Sequence, residues 1–107
     1  MRILFADPSR DLVAIYEKLL AKSGYETVPA YDGLQALELL RKERFDAAVL
    51  REELPRYETR YLVRALEEMK IPSILLTENA SGDDRSRLAF PFLPEDLEKR
   101  LEEVTRR

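Results

Sequence analysis

Charge, hydroxyls and turn formers meet at three short places in the chain: Asp7-Pro8-Ser9, Arg51-Glu52-Glu53 and Thr77-Glu78-Asn79. Carboxylates, a guanidinium and a hydroxyl gathered in one pocket support two kinds of chemistry. Arg51 can pair with Asp7 inside the molecule, with Glu53 or Glu52 assisting, or it can join Thr77 in gripping an outside anion such as a nucleotide phosphate. A third possibility is that Arg51 stands in solvent, where ion pairs are weakly held. Composition closes many other routes. The 107 residues include no histidine and no cysteine, which excludes imidazole bases, Ser-His-Asp triads, thiolate nucleophiles, disulfides and thiolate metal sites.

Charged residues make up 36% of the chain, with a formal net charge of −3 and both signs interspersed. No basic block or aromatic-basic interleaving points to nucleic acid. The apolar runs are too short to span a membrane, and the run in "MRILFA" is too brief for a signal peptide. A cytoplasmic protein of one domain, residues 1–107, is expected.

The clusters meet only if the elements before them end side by side. "RILFA" is a nearly continuous apolar run, as buried parallel strands are. A helix follows from Ser9, its cap, to Gly24, with Leu12, Ile15, Tyr16, Leu19 and Leu20 at helical spacing. "ETVPAY" holds a second strand, and Pro29 suits an edge. Asp32 caps a second helix with Leu34, Leu37 and Leu40 on one face. "DAAVL" is the third strand, and "RYETRYLVRALEEMK" an amphipathic helix with Tyr61, Leu62, Ala65, Leu66 and Met69 directed inward. "IPSILLT" is the fourth strand, "ENASGDDRSR" a polar loop in which Asp83 and Asp84 read as solvated, and "LAF" a short fifth strand. The last helix starts at Pro94 and carries Leu97, Leu101 and Val104 as its stripe. Strands alternating with helices predict an α/β fold with a parallel sheet, whose chemistry sits at the carboxyl ends of the strands.

The order "ILFAD … GYETVPAYDGLQALELL … FDAAVLREELP … IPSILLT … FPF" resembles a CheY-like receiver domain of bacterial response regulators over nearly the whole chain. The resemblance implies a flavodoxin-like sheet in the order 2-1-3-4-5. It also implies a phosphorylation site. Two adjacent acids after the first strand hold Mg²⁺, and an aspartate after the third accepts the phosphoryl group. A Ser or Thr after the fourth and a Lys before a proline after the fifth contact the phosphate. Asp7 matches the first acid, but Pro8 stands where the second belongs, which leaves Asp7 as a lone carboxylate and a poor Mg²⁺ ligand. Arg51 occupies the acceptor position, Thr77 matches the switch hydroxyl, and Phe90 stands where the lysine belongs, with Pro91 retained after it. Glu53 falls two residues past the acceptor, where the family uses a backbone carbonyl for the metal. Arg87 lies near the place of the family's rotating aromatic. The segment from Thr77 to Pro91 is short by about one helix, so the fourth helix is expected to be reduced or lost.

The expected protein is a degenerate receiver, not an enzyme and without a cofactor, acting by protein–protein interaction independently of phosphorylation. Its partners would be another signalling protein or a second copy, reached through the face near strands four and five that a missing helix would leave bare. The alternative is a small-ligand or nucleotide-phosphate sensor using Arg51 and Thr77. In both readings the Thr77 hydroxyl is either a working switch or a group that satisfies backbone at a strand end.

Overall fold

The apolar runs become five parallel strands, β1 (Arg2–Ala6), β2 (Glu26–Ala30), β3 (Ala47–Arg51), β4 (Ser73–Thr77) and β5 (Arg87–Ala89). Among the described residues, four helices alternate with them: α1 (Arg10–Ala21), α2 (Gly33–Lys42), α3 (Thr59–Glu68) and α4 (Pro94–Thr105). The computed structural model describes residues 1–78, 86–90 and 92–106. Asn79, Asp83, Asp84 and Pro91 lie outside these, as does most of the stretch on which the loss of a helix between β4 and β5 was expected.

The sheet order is β2-β1-β3-β4-β5. The chain leaves β1 in one direction to build β2 and returns past it to build β3, so the crevice of the fold opens between the ends of β1 and β3. Register sets the rest. Ala6 pairs with Leu50, and Arg51 pairs with Leu76. Asp7, Arg51 and Thr77 therefore emerge next to one another.

Side chains of each strand alternate between two cores. Ile3 and Phe5 pack with Val13, Tyr16 and Leu20 of α1 and with Leu97 and Leu101 of α4. Leu4 and Ala6 pack with Ala36 and Leu40 of α2 and with Leu62 and Leu66 of α3. Helices on both faces explain why the strands are apolar throughout rather than alternating. Helix starts are held as their sequences suggest. The Leu12 N–H donates to Ser9 Oγ at 3.2 Å, and the Gln35 N–H donates to Asp32 Oδ1 at 2.8 Å. At α4, the Leu93 N–H donates to Asp96 Oδ2 at 2.9 Å, with Pro94 in the first helical position. Gly24 closes the end of α1 at φ +88°, a conformation open to glycine.

The start of α2 is pressed against the loop after β3. The Gly33 N–H donates to the Pro55 carbonyl at 2.9 Å, and Arg56 pairs with Asp32 at 3.5 Å. A Cβ on Gly33 would lie 2.0 Å from the Tyr57 carbonyl oxygen, so only glycine allows this approach.

Three side chains expected inside are not. Ile15 is 55% exposed, because the buried face of α1 centres on Val13, Tyr16 and Leu20 and Ile15 is turned about 100° from Tyr16. Tyr61 is exposed and rests its ring 5.8 Å from that of Tyr57 rather than entering the core. Met69 is exposed as well, since it caps α3 beyond its last turn. The fifth strand is Arg87–Ala89 rather than "LAF", which leaves Phe90 just past its end. The outer edges of the sheet are both modified. On β2, Pro29 faces outward without an N–H, because Glu26 and Ala30 are the residues bonded toward β1. On β5, the Arg100 guanidinium donates to the Arg87 carbonyl.

Candidate functional site

Asp7 follows the last residue of β1 and is fully buried. Its backbone N–H donates to the Ala30 carbonyl at 3.0 Å, which fixes the turn out of the strand. Its carboxylate has two tasks. Oδ1 accepts the Ser9 N–H at 2.8 Å and leads the chain into α1; Oδ2 lies 3.3 Å from Arg51 Nη1. Pro8, between them, is exposed and offers no polar side chain.

Arg51 ends β3, and its carbonyl accepts the Thr59 hydroxyl at 2.9 Å, tying the strand end to the start of α3. Its guanidinium is held on three sides. Asp7 takes one nitrogen, Glu78 Oε1 lies 3.9 Å from the other, and the ring of Phe90 lies beneath it at 4.4 Å to the centroid. Phe90 continues an aromatic row into the core: Phe90 to Phe92 at 5.0 Å, Phe92 to Tyr16 at 5.4 Å, and Tyr16 to Phe5 at 6.0 Å. The charged end of β3 is thereby packed against the apolar interior.

Thr77 ends β4 with its side chain buried, and its hydroxyl donates to Glu52 Oε1 at 3.0 Å. The other oxygen of Glu52 takes Arg87 Nη1 at 2.6 Å. Glu53 or Glu52 was expected to assist Arg51. Instead Glu52 reaches over β4 to β5, Glu53 stands exposed on the rim, and Glu78 is the second acid near Arg51. Glu52 is on the opposite side of the strand end from Arg51, so the two point to different neighbours. A cleft of about 370 Å³ lies between these groups, bounded by Asp7, Pro8, Arg51, Glu53, Thr77 and Glu78.

The structure thus brings Asp7, Arg51, Thr77 and Phe90 together, with Pro8 and Glu53 at the margin. Pro91 is outside the described residues. Three roles were not expected from the sequence: the Phe90 ring as a platform, Glu78 as the second acid beside Arg51, and Arg87 as a partner of Glu52. The available signal was that Arg51 and Phe90 depart together from the pattern the chain resembles, and a cation and an aromatic are natural partners.

No family model matches the chain. The transcriptional regulatory protein TctD of Salmonella typhimurium is 32% identical over 118 residues, covering 100% of this chain and 53% of that protein. The transcriptional regulatory protein PrrA of Mycobacterium tuberculosis is 32% identical over 117 residues, covering 99% of this chain and 50% of that protein. The chemotaxis response regulator CheY4 of Vibrio cholerae superposes with a TM-score of 0.85 at 28% identity, over 96% of this chain and 97% of the other. The chain has the CheY-like, flavodoxin-type fold of response-regulator receiver domains. It spans about half the length of the curated relatives it matches. The receiver domain of the sensor histidine kinase PA1611 from Pseudomonas aeruginosa superposes with a TM-score of 0.84 at 26% identity and carries a magnesium ion in its active-site cleft. In the present chain a guanidinium, that of Arg51, stands beside the buried Asp7 carboxylate at the strand ends. No helix among its described residues is long and apolar enough to cross a membrane.

Proposed function

We propose that this receiver domain serves two-component signalling as a protein-interaction module whose state is not set by phosphorylation. One observation carries the reading: at the acceptor position Arg51 is paired with the buried carboxylate of Asp7. A guanidinium has no oxygen to receive a phosphoryl group by the carboxylate route, and it keeps its charge at any pH the protein meets. The residues present do not fit Mg²⁺. Pro8 supplies no ligand, both Asp7 oxygens are engaged by Ser9 and Arg51, and the fixed charge of Arg51 repels a second cation. Among the described residues, no group of three His, Cys, Asp or Glu side chains is arranged to hold a metal ion. Phe90 brings an aromatic ring where an ammonium would be needed.

In this reading residues 1–107 form one domain without enzymatic activity in the bacterial cytoplasm. The domain meets another signalling protein, or a second copy, through the β4–β5 face. Leu75 supports that placement, being only partly buried although Leu50, its partner on β3 in the same core, is fully covered. The alternative, an anion sensor built on Arg51 and Thr77, is opposed by charge. Asp7, Glu52, Glu53 and Glu78 all line the same cleft, and both proposed anion contacts already have carboxylate partners.

The test is incubation with Mg²⁺ and acetyl phosphate, followed by intact mass. No phosphoryl adduct is expected, for the native chain or for Arg51→Asp, which leaves Pro8 and Phe90 in place. A stoichiometric adduct on the native chain overturns the reading.

A further inference from the structure

Two hydrogen-bond donors on separate strands converge on one point at the carboxyl edge of the sheet. The buried Thr77 hydroxyl comes from β4 and the Arg87 guanidinium from β5. Both donate to the same carboxylate, that of Glu52, which extends from the residue after β3. The Glu52 backbone N–H also donates to the Leu76 carbonyl at 2.9 Å, so the side chain is launched from a fixed base. A buried hydroxyl needs a partner, and a guanidinium beside it favours an anion as that partner. Donors from two strands with an acid delivered from a third make a built-in anion position, filled by the chain itself.

We propose that Glu52 is an internal anion that occupies this position and thereby latches the ends of β3, β4 and β5 in one arrangement. Thr77 is the residue that matches the switch hydroxyl, and its partner is here supplied in cis and permanently. The β4–β5 edge is then held as the signalling surface without any added group. The Glu52 side chain is 41% and the Arg87 side chain 37% exposed, so the position is reachable by a small anion once the Glu52 charge is removed. This inference rests on the reading of a site that takes up no phosphoryl group. The two fail separately, because an adduct in intact mass refutes that reading without moving the measurement below.

Backbone amide exchange reports the latch. The Phe90 N–H, bonded to the Thr77 carbonyl at 2.9 Å, and the Glu52 N–H span the two strand junctions. Glu52→Ala is expected to speed exchange at both by about three- to tenfold through local opening, leaving the β1–β2 amides unchanged. Inorganic phosphate, compared with chloride at equal ionic strength, should restore slow exchange in Glu52→Ala and have no effect on the native chain. Glu52→Gln keeps an oxygen for Thr77 but no charge for Arg87; it should lie between the two and also respond to phosphate. It carries the test alone should Glu52→Ala not fold. Unchanged exchange in the variants overturns the proposal. Faster exchange that phosphate does not reverse overturns it too, since the effect would then belong to the side-chain stem rather than to an anion.

Discussion

Asp7 is a fully buried acid whose charge is met by Arg51, a residue with 29% of its side chain still in water. Removing one partner of a buried pair strands the other, whereas removing both can be nearly neutral. Arg51→Met should therefore lower unfolding free energy by about 2–3 kcal/mol, below the full cost of a wholly buried pair because Arg51 is partly solvated. Asp7→Asn should cost less, since the amide oxygen can still accept the Ser9 N–H. The double variant should be more stable than the two single losses added together, by about 1 kcal/mol or more in urea denaturation. Additive losses would mean that the two side chains do not act as a pair. This ion pair was legible once the resemblance set β1 beside β3, because Asp7 follows the one strand and Arg51 ends the other. The Phe90 platform was not. It depends on β5 stopping at Ala89, one residue earlier than its apolar pattern suggests, which frees the next side chain to turn toward Arg51.

At the scale of elements, α1 supplies Tyr16 to the aromatic row that begins at the site, and Phe92 enters the row just before α4. Burial, and secondarily the charge of Asp96, raises the Tyr16 phenol above its ordinary value near 10. The native state then holds this proton where the unfolded chain has released it, so stability is intact below about pH 10 and declines as pH rises above it. Tyr16→Phe should flatten that alkaline decline, read as the difference in urea midpoint between pH 9 and pH 11. Tyr25 is raised in the same direction, first by burial and then by Glu102 and Glu98, so part of the slope should remain. An unchanged slope in Tyr16→Phe would remove Tyr16 from the account. Helix spans were readable because caps and glycine mark them: Ser9, Asp32, Gly24 and Pro94 all stand where the structure uses them. The rotation of each helix was less readable. Ile15 fits an apolar stripe as well as Val13 does, and only the position of the sheet decides which of them is covered.

For the whole molecule, strand alternation predicted a parallel sheet, but the order 2-1-3-4-5 came from resemblance, since periodicity carries no information on neighbours. The proposed use of the β4–β5 face predicts self-association or exposed apolar surface in the isolated chain. Light scattering should show a concentration-dependent mass, or a fluorescent dye should report apolar surface. A monodisperse monomer that binds no dye would remove that face as a docking site. The edges of the sheet limit how any such association proceeds. On β2 the outward N–H positions are Thr27 and Pro29, and proline leaves a gap in the row; on β5 the outward Arg87 carbonyl is already taken by Arg100. Neither margin offers a complete ladder for an incoming strand. Copies of this chain should therefore meet through side-chain surfaces, and growth into a continuous intermolecular sheet is blocked at both ends.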